Sequence, residues 1–196
     1  MNLNKMQVRG ESHGTALVVD QSLTLTADGN TDWFHHPADT FRRNNVVSLA
    51  AEVAEEIFSV TARISVEFSS PYDAGAIFLQ VDDDNWAKLA FEYSAEKKPT
   101  IVSVVTRTTS DDCDGPNYLG DKVWLRLYCE ADTIAFHFSE DGKFWHFLRW
   151  FAIPGLRNRP LTVGFGVQSP TGEGAKAHFD HIKLSYEKIA DLRNGS

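Results

Sequence analysis

The residue types able to do chemistry in this chain are scattered. Hydrolysis of a glycosidic bond needs two carboxyl groups facing each other across the scissile bond. One arrangement, Glu-x-Asp-x-(x)-Glu on a single strand, lets alternation turn all three into a cleft; no such triplet occurs. Glu67 and Glu92 stand alone in strand-like stretches and could converge only from two different strands. Asp82-Asp83-Asp84 lacks the glycine and distal glutamate of an EF-hand loop and reads as a solvated turn. In His178-Phe-Asp180-His181 the two histidines point to opposite faces of a strand, so the segment reads as structural. Asp180 is left as a candidate calcium ligand for clipping a terminal strand. His35-His36 is split by the same alternation, and His35 fits a ligand contact better than a metal ligand. Gly164, Gly166, Gly172 and Gly174 form no phosphate loop. Cys113 and a distant histidine make no nucleophile. The expectation is no catalytic residue, no metal ligand and no cofactor.

A different pattern lies on the faces of the strands. In Trp86-Ala-Lys88-Leu-Ala90-Phe-Glu92, alternation puts Trp86, Lys88 and Glu92 on one face. Ala87, Leu89, Phe91 and Tyr93 take the other, which reads as core. Phe78 and Gln80 likewise oppose Ile77, Leu79 and Val81, and Trp124, Arg126 and Tyr128 oppose Val123, Leu125 and Leu127. A large aromatic beside a charge or amide suits a flat, hydroxyl-rich ligand. Rings pack on C–H patches while amides and charges bond hydroxyls. The plainer readings are a same-face ion pair between Lys88 and Glu92, and packing of Trp86 and Arg126 at a sheet face.

The elements that would position these residues are strands. Short alternating runs bounded by turn residues recur along the chain, roughly ten to twelve of them, with little helix. Strands 75–81 and 86–93 form a hairpin through the Asp82–Asn85 turn, and Asp141-Gly142 marks another. Ala50–Ile57 could form a helical turn, SDDCDGPNYLGD (110–121) reads as a loop, and Ile189–Ser196 reads as a tail. Without repeats or linkers, residues 1–196 are expected to form one domain, with a core at about 15–187.

The 196 residues are 42% hydrophobic, 23% charged and 12% aromatic, a globular composition that favours pleated surfaces. A formal net charge of −8 and a sequence pI of about 5.3, with no basic run, argue against nucleic acid and anionic membrane as partners. Two cysteines, Cys113 and Cys129, and an opening segment without an apolar signal core suggest a cytoplasmic protein with reduced thiols.

TDWFHHP (31–37), SPYDAGAIFLQVDDDNWAKLAFE (70–92), SVVTR (103–107), VWLRL (123–127), FSEDGKFW (138–145) and GFGVQSPTGEGAKAHFDHI (164–182) occur in that order. In this the chain resembles the concanavalin A-like domains of unknown function. These stand alone or follow β-xylosidase catalytic domains, and they include a fungal regulator of enolase. The resemblance implies an all-β, two-sheet antiparallel jelly-roll sandwich with one concave sheet, and no settled activity. After SVVTR the family often carries an aromatic, which Thr108–Cys113 lacks. The candidate surface is Trp33, His35, Tyr72, Asp73, Gln80, Trp86, Lys88, Glu92 and Gln168, to which the resemblance adds Arg126. Trp33, Tyr72 and Trp86 would stack on a ligand. Asp73, Gln80, Glu92 and Gln168 would bond hydroxyls, while Lys88 and Arg126 would bond hydroxyls or anchor an acidic group. The leading expectation is a non-catalytic module for carbohydrate or another small polar ligand. The alternatives are a cytosolic protein-interaction or regulatory domain of the enolase-regulator kind and, third, an unrecognised glycoside hydrolase.

Overall fold

The computed structural model describes residues 1–158 and 160–196. Sixteen strands, which follow in chain order, account for most of it. They are β1 (Gln7–Arg9), β2 (Gly14–Val19), β3 (Ser22–Asp28), β4 (Trp33–His35), β5 (Arg42–Asn44), β6 (Val47–Val53), β7 (Ile57–Glu67) and β8 (Ala74–Gln80). Then come β9 (Asn85–Tyr93), β10 (Pro99–Arg107), β11 (Thr109–Asn117), β12 (Val123–Glu130), β13 (Thr133–Ser139), β14 (His146–Phe151), β15 (Leu161–Gln168) and β16 (Gly174–Ser185). The helical residues described are two short 3-10 turns, Leu3–Lys5 and Glu11–His13.

Two seven-stranded antiparallel sheets face each other. Sheet A runs β1-β6-β15-β8-β9-β10-β11 and sheet B runs β14-β13-β12-β7-β16-β3-β2. This is the concanavalin A-type jelly-roll sandwich that the family resemblance implies. Alternation explains the layering, because each strand sends every second side chain inward. Leu89 and Phe91 from sheet A meet Leu125, Leu127 and Ile64 from sheet B in one apolar core. Phe165 and Phe179 make ring contact between the sheets, centroids 5.3 Å apart.

Three segments differ from expectation. Ala50–Ile57 is not helical: β6 runs to Val53 and β7 begins at Ile57. Its residues read as helix because Ala51–Ile57 has few β-branched side chains, but pairing with β15 on one side overrides that. The Asp- and Gly-rich stretch after Arg107 is not a loop. Thr109–Asn117 forms edge strand β11, paired along β10 with one register shift, and its polar residues suit an edge. The 189–196 tail folds back onto sheet B, where His137 Nε2 lies 2.7 Å from the Leu192 carbonyl. The two cysteines are free, Cys113 exposed on β11 and Cys129 buried on β12.

Beyond the sandwich, β4 and β5 pair into a two-stranded ribbon. It is seated on the outer face of sheet A.

Candidate ligand-binding cleft

The outer face of sheet A can be read row by row from strand register. Gln168, Ala74, Glu92 and Thr100 lie side by side across β15, β8, β9 and β10. The next row is Gly166, Ala76, Ala90, Val102 and Asp114, and the next Gly164, Phe78, Lys88, Val104 and Asp112. The second row is mostly small, so the Lys88 side chain can lie across it toward Gln168. Lys88 Nζ donates to Gln168 Oε1 at 2.7 Å and to the Trp33 carbonyl at 2.7 Å. Gln168 passes the chain on, donating from Nε2 to the Tyr72 carbonyl at 3.2 Å.

The ribbon covers the next part of the face. Trp33 stacks on Trp86 with ring centroids 4.5 Å apart and planes 30° apart, and meets Phe78 edge-on at 4.9 Å. Ala50, Ala74, Ala76, Ala90, Val102 and Val104 complete this second apolar cluster. His35 holds the ribbon down. Its backbone N–H donates to Ser110 Oγ at 3.0 Å, and its Nδ1 lies 3.0 Å from the Thr108 carbonyl. Its ring stands edge-on to Trp86. Trp86 is 0% exposed and Trp33 and His35 each 5%. The expectation that these three line an open cleft is therefore corrected. They fasten the ribbon, and the two tryptophans use up each other's faces.

What remains open is a cleft of about 570 Å³ between the ribbon and the β9–β11 edge. Lys88, Glu92 and Gln168 are in its floor, Asp112 and Asp114 rise from β11, and Asp32 and Arg43 come from the ribbon side. Phe34, Phe41 and Tyr72 form an aromatic rim, with Phe41 and Tyr72 well exposed. Asp112 and Asp114 share a side because they are two apart on a strand.

The electrostatics follow from burial. Glu92 is 8% exposed. Its carboxyl is pushed up to about 8, first by desolvation and then by Asp114, Asp32 and Asp112, against the opposing pull of Lys88. Asp32 is also raised, chiefly by burial, with Lys88 and the Trp33 N–H working against the shift. Burial pushes Lys88 down, and Asp32, Glu92 and Asp112 hold it up. The Glu92 carboxyl has no side-chain hydrogen bond among the described residues. A carboxyl that is largely protonated near neutrality can both donate to and accept from a hydroxyl.

The remaining expected residues fall elsewhere. Asp73 is 0% exposed and fully engaged. Its Oδ1 accepts from Ser169 Oγ at 2.7 Å, and its Oδ2 accepts from the Ser69 and Ser70 N–H groups and Ser69 Oγ. It ties the 69–73 loop to the 169 turn and offers a ligand nothing. Gln80 lies across the ribbon in a separate recess of about 340 Å³ with Arg9 and His13. Arg126 is on β12 of sheet B, between Thr61 and His137, on the far side of the molecule's core. The calcium role weighed for Asp180 is also overturned, since the carboxylate is gripped by Arg63 at 2.8 and 2.6 Å. Of the ten candidates, then, Tyr72, Lys88, Glu92 and Gln168 share the cleft. Asp32, Phe34, Phe41, Arg43, Asp112 and Asp114 were missed. A signal existed for one pair: Asp112-Cys-Asp114 has strand parity, obscured by the surrounding turn-forming residues.

Comparison with known proteins agrees with this architecture. A family model described as a protein of unknown function, DUF1349, matches residues 12–187. The chain belongs to the DUF1349 family. A curated relative from Saccharomyces cerevisiae, "Regulation of enolase protein 1", is 28% identical over 165 residues, covering 83% of this chain and 81% of that one. A crystal structure of a functionally unknown Saccharomyces cerevisiae protein superposes with a TM-score of 0.87 at 24% identity, covering 96% of this chain and all of that one. The carbohydrate binding module CBM66 from Bacillus subtilis shares the fold, with a TM-score of 0.57 at 13% identity over 88% of this chain and 91% of the module. DUF1349 thus supplies a family and a fold, and leaves the ligand to be argued from the cleft.

Proposed function

We propose that this DUF1349 chain is a non-catalytic binding module whose ligand is a small uncharged carbohydrate held in the sheet A cleft. One observation carries the reading: the buried side chains of Glu92, Lys88 and Gln168 line a space of about 570 Å³ rimmed by Tyr72, Phe41 and Phe34. That volume falls within the usual range for small-ligand sites, roughly 300–1,000 Å³. Donors and acceptors converge in its floor and rings stand at its edge, which is the division of labour a sugar needs. Asp32, Asp112 and Asp114 against Lys88 and Arg43 disfavour an acidic sugar. The carbohydrate-binding name of the CBM66 relative in fold supports this reading.

The test is a glycan array probed with wild type, Tyr72→Ala and Asp114→Asn, all checked for folding by circular dichroism. Binding to neutral glycans that both variants weaken by about tenfold is expected, corresponding to about 1.4 kcal/mol. Folded wild type that ignores every glycan would refute it. A protein partner is the second reading, favoured by the enolase-regulation name of the 28% identical relative. Capture of enolase by wild type, lost in Tyr72→Ala, would move the conclusion there.

A further inference from the structure

The outer face of sheet B carries a second cleft, of about 570 Å³, lined in part by Arg126. Arg126 is 7% exposed and stacks on Trp145, its guanidinium carbon 4.2 Å from the ring centroid. No carboxylate pairs with it among the described residues. Its Nη2 donates to the Gly195 carbonyl at 2.8 Å, and its buried Nε has no partner. Desolvation alone lowers it, to about 10. A buried guanidinium without a counter-charge is costly and uncommon.

The same molecule shows what this fork does when satisfied. Arg63 uses its Nε and Nη2 to hold both oxygens of Asp180, at 2.8 and 2.6 Å. In Arg126 the identical edge of the guanidinium meets a single carbonyl oxygen, so half of a bidentate site is filled and half is empty. The oxygen that fills it belongs to a weakly held segment. Within 189–196 only Gly195 is buried. The segment rests on the Arg126 bond, the His137–Leu192 contact, a 3.4 Å bond from the Ile189 N–H to Tyr128 and the Arg193 side chain over Phe147. A segment that buries so little apolar surface opens at low free energy.

We propose that Arg126 is the anchor of a second binding site, for a small carboxylate-bearing ligand of monosaccharide size, and that residues 189–196 are a strap whose Gly195 carbonyl stands in for one carboxylate oxygen. Displacing the strap gives the ligand both Nε and Nη2, with Trp145 holding the guanidinium plane. Lys183 and Lys188 also border the cleft and add positive charge, although Lys188 is paired with Glu130 and Glu187 opposes them. His181 lies on its Trp124 side. This site is independent of the sheet A cleft and of the reading given for it.

The experiment is calorimetric titration of the full chain with glucuronate, with glucose as the uncharged control. Gly195→Ala loosens the strap, because Gly195 has φ +73° and a Cβ there would fall 2.6 Å from Trp145 Cβ and against Arg126 Nη2. Glucuronate should bind Gly195→Ala at least threefold more tightly than wild type, glucose should bind neither, and Arg126→Gln and Arg126→Lys should each lose at least tenfold. Arg126→Lys keeps the charge and removes the fork. Binding seen only in Gly195→Ala also supports the proposal, since the strap then blocks wild type. Absence of glucuronate binding in both wild type and Gly195→Ala overturns it, as does equal binding of glucose or full binding by Arg126→Lys.

Discussion

Trp33 and Trp86 stack on each other across the gap between ribbon and sheet, 4.5 Å from centroid to centroid. The ring that alternation sends to the outer face of β9 therefore meets a ring of the same chain. With Phe78 and four alanines around them, the two form a second core outside the sandwich.

Trp86→Ala should consequently destabilise the fold by about 3–5 kcal/mol, the range for deleting a large buried aromatic. Urea unfolding followed by circular dichroism measures it. A loss within about 0.5 kcal/mol, typical of an exposed position, would mean the ribbon does not sit on this ring in solution.

The rim separates scaffold from surface in adjacent residues. Asp73 accepts four hydrogen bonds out of contact with solvent, whereas Tyr72 is 42% exposed. Asp73→Ala strands those donors and should cost about 3 kcal/mol or more, while Tyr72→Ala should stay within about 0.5 kcal/mol. Denaturation midpoints of the two variants side by side check the contrast; equal losses would contradict it.

Glu92 gives the protein a pH signature. Its folded-state carboxyl is raised to about 8, mainly by burial, from its ordinary value of 4.5. Because the folded form holds the proton more tightly, its contribution to stability is complete below about 4.5, declines as pH rises between the two values and is gone above about 8. Glu92→Gln should flatten the fall in urea midpoint between about pH 5 and 8. An unchanged slope in the variant would place the titrating group elsewhere.

How much of this was visible in the sequence depends on what each signal encodes. The parity of β9 was plain because Leu89 and Phe91 must be inward, which forces Trp86, Lys88 and Glu92 outward together. Parity does not say which sheet a strand joins, and the resemblance that adds Arg126 to this surface fixes no strand order; β12 lies in sheet B. Outward is also not the same as exposed. The ribbon strands are three residues each, too short to show a period, and their seating on sheet A is what buries Trp86 and His35. Asp112 and Asp114 were hidden because Asp, Gly, Pro and Asn mark turns locally, while in β11 pairing with β10 along one edge is enough to hold them extended.

The central claim, a sugar in the sheet A cleft, is tested most directly by a 15N–1H NMR titration with the neutral glycan that binds most strongly on the array. Saturable shifts should centre on the backbone amides of Asp32, Tyr72, Glu92, Asp112, Asp114 and Gln168, with those of Trp124, Arg126 and Trp145 unmoved. Shifts centred on the sheet B residues, or none that saturate, would contradict it.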